Sequence, residues 1–196
     1  MLAERLITPR RYEADPTFGS VITRVPFGVP GEPPVATPGA GIRERMPQLA
    51  ADAQIVLWNG GIWGWLDPAP VIRAVARLSE RRPLALVFMG ASSHLAAVRA
   101  AEAARSLAGE LGVLDTVVHF NEGWVPYAER ASWLLEASCA VSAHLDHLET
   151  RFAFRTRVLD CFWSGLPIVC SRGDALSDMV ERRDLGAAAD PGDVDG

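Results

Sequence analysis

Residues 149–172 read ETRFAFRTRVLDCFWSGLPIVCSR and contain the clearest structural pattern in the chain. Large apolar residues recur there at every fourth position, the spacing of one helix face: Phe154, Val158 and Phe162. The pattern predicts a helix over 154–164 that ends at Gly165, a residue type that commonly terminates helices. The apolar run 168–170 then predicts a buried strand. This stretch therefore indicates a helix packed on a covered sheet.

Charged residues gather at the start of this predicted helix. Arg155 and Arg157 lie in its first turn, where free backbone N–H groups already favour an anion, so we predict a diphosphate site. Asp160 follows about one turn later and can accept hydrogen bonds from a pair of sugar hydroxyls. The alternative is that the three side chains form solvated charge pairs on an exposed helix face.

The same alternation of helices and apolar strands extends along the chain in both directions. Strands are predicted at 55–59, 84–89, 117–120, 139–142, 168–170 and 186–189, and the other helices at 69–81, 94–112, 127–137 and 174–183. Continuous apolar strands between helices indicate a parallel sheet covered on both faces. The predicted fold class is α/β, a doubly wound, Rossmann-like parallel sheet.

The first 48 residues differ from the rest because they are rich in proline, which excludes long helices and central strands. We expect residues 1–48 to form an interdomain linker with one short strand at 21–25. Residues 49–196 are expected to form the folded domain.

Composition restricts the classes of ligand and cellular location. The net charge of −5 lacks the basic footprint of a nucleic-acid-binding protein, so no nucleic-acid partner is expected. The sequence contains no lysine, so arginine, backbone N–H groups or a metal must hold any phosphate. The three cysteines lack C-x-x-C spacing and are expected to be buried, reduced thiols. No signal peptide or membrane span is recognisable, so we expect a cytoplasmic protein.

Loops after the strands are the expected ligand-binding positions of such a sheet. Gly60 and Gly61 follow the first strand, and their lack of side chains suits close approach of a phosphate. Trp63 and Trp65, in the same loop, are expected to pack on the linker or at a domain interface.

The loop after the fourth strand, residues 142–149, contains residue types that can bind metal: His144, Asp146, His147 and Glu149. Alternate positions in a loop do not converge on one ion without further constraint, so we expect no metal site. Contact with sugar hydroxyls is the preferred hypothesis for Glu149, which directly precedes the arginine pair.

Residues 158–171, VLDCFWSGLPIVCS, resemble the signature helix and strand of family 4 glycosyltransferases. In that family two glutamates separated by seven residues precede Ala-Met-Ala-x-Gly-x-Pro-Val-Val, and the second glutamate contacts the donor ribose. The resemblance places Asp160 at the ribose. The position eight residues earlier is Phe152, so the nearest carboxylate for the transferred sugar is Glu149.

The resemblance also implies roles for the other loops. The turn at Gly123, Trp124 and Val125 resembles the family's base-binding turn, in which backbone atoms contact the nucleobase. Family members place an arginine and a lysine in the loop after the first strand to hold the diphosphate. Here Gly61 and Trp65 or Leu66 stand near those positions, so Arg155 and Arg157 are expected to replace them. The family works without a bound metal or other cofactor.

The resemblance implies the donor-binding half of a GT-B glycosyltransferase, truncated at both ends relative to the full enzyme. The expected reaction is transfer of a hexosyl group from a sugar nucleotide to a glycan, lipid or small-molecule acceptor, with Arg155, Arg157 and Glu149 as catalytic residues. A preceding acceptor-binding domain is the expected partner and the only expected source of membrane contact. A sugar-nucleotide epimerase of the same architecture and a nucleotide-binding module without turnover are the alternatives.

Overall fold

A computed structural model describes residues 8–17, 19, 27–90 and 94–195 of the protein. Within these residues the strands are β1 Gln54–Trp58, β2 Leu84–Phe88, β3 Val118–Phe120, β4 Cys139–Ser142, β5 Ile168–Ser171 and β6 Gly186–Ala189. The α-helices are α1 Pro9–Ala14, α2 Ile42–Arg45, α3 Pro68–Ser79, α4 Leu95–Glu110, α5 Arg130–Glu136, α6 Thr156–Ser164 and α7 Ala175–Arg182. Two 3₁₀ helices, Tyr127–Glu129 and Leu148–Phe152, complete the described elements.

The six strands form one parallel sheet in the order β3-β2-β1-β4-β5-β6. Strand order therefore reverses between β1 and β4, where Val56 pairs with Cys139 and Leu57 with Ala140. This arrangement confirms the predicted doubly wound, Rossmann-like fold.

Two apolar cores lie on opposite faces of the sheet because successive strand residues point to opposite sides. Ile55 and Leu57 of β1 belong to the core under α2, α5, α6 and α7. Trp58, at the end of the same strand, belongs to the core under α3 and α4. Helices therefore pack against both faces of β1.

The predicted elements are present, with two corrections at helix starts. The helix predicted from residue 127 opens as a 3₁₀ helix and becomes α-helical at Arg130. The helix predicted from Phe154 begins at Thr156, because Phe154 lies in extended chain and stacks on Phe27 at 5.8 Å. The predicted strand at 21–25 lies outside the described residues.

The buried face of α6 also differs from the predicted stripe. Val158 and Cys161 are its buried side chains, whereas Phe154 is 42% exposed and Phe162 is half-buried. The spacing of three between Val158 and Cys161 is as helical as the predicted spacing of four, so the sequence pattern alone did not distinguish the two faces.

Part of the proline-rich segment packs on the sheet domain. Ile42 and Met46 are buried in the core that also contains Trp133. The backbone N–H of Ile42 donates to the carboxylate of Glu136 at 2.5 Å. The described end of this segment is therefore attached to α5.

The cysteines are free thiols. Cys161 and Cys170 are buried, and burial is the main cause that raises the pKa of each thiol to about 12. Cys139 is only half-buried, and its pKa is also raised by burial. These thiols stay protonated at neutral pH, as expected of structural cysteines.

None of the helices in the described part of the chain is long and apolar enough to cross a membrane.

Candidate functional site

The candidate site lies where β1 and β4 end, at the point where the strand order reverses. The chain leaves β1 at Asn59 and leaves β4 at Ala143, and these loops flank the start of α6. Doubly wound sheets bind ligands in the crevice beyond this switch point. The predicted residues Gly60, Gly61 and Arg157 meet there.

The turn after β1 depends on two glycines. Gly60 has a φ of +131°, a backbone conformation that side chains rarely adopt. Gly90 follows β2, and a Cβ atom there would lie 2.6 Å from the carbonyl carbon of Gly60. The absence of both side chains therefore allows the β1 and β2 loops to approach each other at the mouth of the crevice.

Arg157 is held against this turn. Its Nη2 donates to the carbonyl of Gly61 at 3.0 Å, and its guanidinium lies 5.8 Å from the ring centre of Trp58. On the other side, Nδ2 of buried Asn59 donates to the carbonyl of Arg157 at 2.8 Å. Asn59 was not among the predicted site residues, although its position directly after a strand could have indicated it.

The charge of Arg157 is left without a counter-charge. None of the carboxylates in the described ranges forms an ion pair with it, and its Nη1 is buried without a hydrogen-bond partner there. Burial, and then the charge of Arg155, lower the pKa of Arg157 to about 10. The guanidinium nevertheless stays protonated at neutral pH, so this position suits an anion.

Arg155 has the opposite environment. It is 8% exposed, its Nη2 donates to Glu149 at 3.0 Å, and its Nε lies 3.9 Å from the carboxylate of Asp174. Asp174 also accepts the backbone N–H groups of Leu176 and Ser177 as the N-cap of α7. The structure thus brings together the predicted residues Arg155 and Glu149. Asp174 joins them, although the sequence analysis identified it only as the start of a helix.

Asp160 faces a different arginine. Its Oδ1 accepts from Nε of Arg130, the first residue of α5, at 3.2 Å. Arg130 is 9% exposed although it is charged. It was not predicted as a site residue, because its relation to Asp160 depends on packing between two helices distant in sequence.

The three residues of the predicted base-binding turn have different environments. Val125 is buried in the core. Trp124 is 72% exposed, and the carbonyl of Gly123 accepts from the Asn121 side chain at 2.6 Å. The turn is therefore anchored at both ends with an exposed indole between them.

The histidines after β4 point to separate environments. His144 is buried beside the carbonyl of Leu145, whereas exposed His147 accepts the N–H of Glu149 as a helix cap. No group of three or more His, Cys, Asp or Glu side chains able to hold a metal ion occurs among the residues the structure describes.

Trp63 and Trp65 stack on each other, with ring centres 5.4 Å apart and planes 2° from parallel. Trp65 remains 48% exposed. Trp163 contacts the proline-rich segment, since its Nε1 donates to the carbonyl of Glu32 at 2.7 Å. Packing of Trp63 or Trp65 on that segment stays a prediction, and Trp63 is half-buried against the core under α3 and α4.

A groove of about 730 Å³ lies elsewhere, along the face of β4 and β5 beside α3. Val141 and Val169 form part of its floor, and none of the predicted site residues lines it. A bare apolar sheet face explains this groove, since parallel sheets need cover on both faces. We therefore assign the candidate site by chemistry at the switch point and not by groove size.

A parallel sheet whose strand order reverses between β1 and β4 defines the doubly wound class of α/β domains. Within that class, the fold is the one found in C-terminal domains of glycosyltransferases. The C-terminal domain of LpcC, a glycosyl transferase group 1 family protein from Francisella tularensis, superposes with a TM-score of 0.64 and 14% identity. The match covers 84% of this chain and 80% of that domain.

Two other glycosyltransferases share the fold. Anabaena HepE, solved in complex with UDP and glucose, matches 81% of the chain with a TM-score of 0.64 and 15% identity. WaaG, a glycosyltransferase involved in lipopolysaccharide biosynthesis, matches 81% with a TM-score of 0.53 and 18% identity. The chain spans 40% of the HepE chain and 42% of the WaaG chain.

These comparisons confirm the predicted fold, one Rossmann-like half of the GT-B architecture. No protein-family model matches the sequence, and a search of curated protein sequences finds no match.

Proposed function

We propose that this chain is the donor-binding domain of a glycosyltransferase and binds the diphosphate of a sugar nucleotide at the β1–β4 switch point. The main observation in support is Arg157, a guanidinium with no counter-charge in the described chain and a buried, unpartnered Nη1. Leaving a buried charge unpaired is costly, so a bound anion accounts for its retention.

The surroundings of Arg157 suit a diphosphate. The start of the nine-residue helix α6 supplies free backbone N–H groups and a partial positive charge. The turn at Gly60 and Gly61 has no side chains to obstruct a phosphate. Charge accumulates on the leaving diphosphate during sugar transfer, so a preorganised guanidinium stabilises the transition state more than the ground state.

The remaining contacts follow the order of groups in a sugar nucleotide. In this proposal Asp160 binds the ribose hydroxyls, the turn at 123–125 binds the base through its backbone, and Glu149 contacts the transferred sugar. Arg155 holds Glu149 in place through their ion pair and contributes positive charge near the sugar end. In support, HepE, which shares this fold, has been solved in complex with UDP-glucose, a sugar nucleotide.

The proposed reaction moves a hexosyl group to an acceptor hydroxyl. The bond between the anomeric carbon and the diphosphate breaks, the acceptor oxygen bonds to that carbon, and a base takes the hydroxyl proton. The acceptor, a glycan, lipid or small molecule, is bound by a second domain outside these 196 residues. Any membrane contact also belongs to that second domain.

The test is isothermal titration calorimetry of the 196-residue chain with UDP, GDP and ADP, and then with the corresponding hexose nucleotides. We expect at least one nucleoside diphosphate to bind with one site per chain in the presence of EDTA. Binding that disappears in EDTA and returns with Mn²⁺ would contradict the metal-free site. Absence of binding to every nucleotide, with the chain folded by circular dichroism, would refute the donor-binding function.

A further inference from the structure

Arg130 has an unusually constrained environment for a charged residue. Its guanidinium lies 3.5 Å from the ring centre of Tyr127 and 4.7 Å from that of Trp163. Its Nη1 donates to the backbone carbonyl of Tyr127 at 3.1 Å, and its Nε donates to Oδ1 of Asp160 at 3.2 Å. Two rings and two hydrogen bonds therefore fix the direction in which Arg130 presents Nε.

We propose that Arg130 is a positioning residue for the ribose contact: it orients the carboxylate of Asp160 towards the ribose hydroxyls of the donor. This inference rests on the proposed function. Oδ1 of Asp160 accepts a hydrogen bond from Nε of Arg130, whereas Oδ2 accepts none from the described residues. Oδ2 is thus the acceptor that remains for the ribose, and rotation of the carboxylate is restricted by its fixed partner.

Stability alone gives a poor account of this arrangement. The guanidinium of Arg130 is nearly buried, and the hydration that such a charge loses often offsets what its ion pair contributes, so an apolar residue of the same size can be as stabilising. Here Nη2 of Arg130 is also buried without a partner among the described residues, which adds a further cost. A role in orienting Asp160 explains why a charged residue is held at this position.

The bond from Arg130 does not replace the ribose contact. The side chain of Asp160 remains 31% exposed while that of Arg130 is 11% exposed. The carboxylate is therefore partly accessible, whereas the guanidinium is packed against the rings of Tyr127 and Trp163. Arg130 acts through Asp160 and does not itself contact the donor.

The test compares calorimetric affinities for UDP and for 2′,3′-dideoxyuridine 5′-diphosphate, which lacks both ribose hydroxyls. We expect the unmodified chain to prefer UDP by about tenfold or more, the scale of hydrogen bonds to a charged group. Arg130→Met and Asp160→Asn should each reduce this preference to about threefold or less. Arg130→Lys, which keeps a charged donor, should restore part of it.

The control is Arg77→Met, which removes another arginine that pairs with a carboxylate, Asp195, far from the crevice. It should leave the preference for UDP unchanged. If Arg130→Met is too unstable to assay, Tyr127→Leu removes one stacked ring from a side chain that is 70% exposed, and should lower the preference to an intermediate value.

Each outcome bears on a separate claim. If the unmodified chain binds neither nucleotide, the proposed function fails, and the role of Arg130 fails with it. If the unmodified chain binds UDP with the expected preference, but Arg130→Met or Tyr127→Leu leaves that preference intact, only the positioning role is refuted. Equal loss of affinity for both nucleotides in Arg130→Met would show a structural role and would also refute it.

Discussion

Replacing Arg157 by methionine is expected to abolish donor binding without destabilising the unliganded protein. Burial lowers its pKa from 12.5 to about 10, which corresponds to a cost of about 3 kcal/mol for the charged form. That cost is fully present at neutral pH, where the guanidinium is charged in both folded and unfolded states. Arg157→Met removes it and loses the hydrogen bond to Gly61, worth about 1.5–3 kcal/mol.

The two effects nearly cancel, so the unfolding free energy of Arg157→Met in urea should stay within about 2 kcal/mol of the original. Losing a buried charge partner costs a bound anion about 3–5 kcal/mol, so the Kd for UDP should rise by at least about a hundredfold. Calorimetry measures the affinity, and thermal melts measure stability with and without nucleotide.

Arg155→Met is the matched control, because it removes the same side chain from a position with two carboxylates. Glu149, whose side chain is 52% exposed, and buried Asp174 would both lose their partner, and breaking the buried pair with Asp174 costs about 3–5 kcal/mol. The melting temperature should fall by roughly 6–20 °C for a domain of this size. The reasoning is refuted if Arg157→Met melts as early as Arg155→Met while its affinity for UDP is unchanged.

Three further results are expected. Gly90→Ala places a Cβ 2.6 Å from the carbonyl carbon of Gly60, so it should cost about 1–3 kcal/mol of stability and weaken UDP binding. In the control Gly64→Ala the added Cβ meets no atom within 4 Å, so stability and UDP binding should both be unchanged. Burial lowers the pKa of His119 on β3 below 6.5, so the unfolded state takes up a proton first as the pH falls below 6.5. The urea midpoint should therefore decline from about pH 7 to pH 5, and less so in His119→Gln; equal declines would contradict this cause. The chain alone should bind donor but transfer no sugar in a radiolabel assay, because holding both substrates in position lowers the activation barrier by about 7–11 kcal/mol and the acceptor has no site here. Transfer at a rate typical of enzymes would overturn the need for a second domain.

The fold was predictable because its signals are local. Each strand is a short apolar run, and most helices carry their own boundary residues, such as Pro68 at the start of α3 and Asp174 before α7. Parallel order then follows from the alternation of strands and helices. Two helix starts were displaced: a 3₁₀ helix precedes α5, and α6 begins after Phe154, whose aromatic ring packs on Phe27, a residue far away in sequence.

The candidate site was only partly predictable because its chemistry depends on tertiary pairing. The sequence identifies Arg155 and Arg157 as equivalent, two basic residues at one helix start. Their partners come from other loops: Glu149 and Asp174 surround the first, and the carbonyl of Gly61 contacts the second. No local sequence pattern indicates which of the two arginines is paired with carboxylates.

This difference between the two arginines explains how one short stretch can supply both structure and binding. Residues two positions apart at a helix start do not face each other, so they reach different neighbouring loops. Arg155 reaches the carboxylates after β4 and β5 and ties those loops to α6. Arg157 reaches the glycine turn after β1, and none of the carboxylates in the described part of the chain forms an ion pair with it. A site for an anionic donor therefore requires that the second arginine remain unpaired while the first holds the loops that surround it.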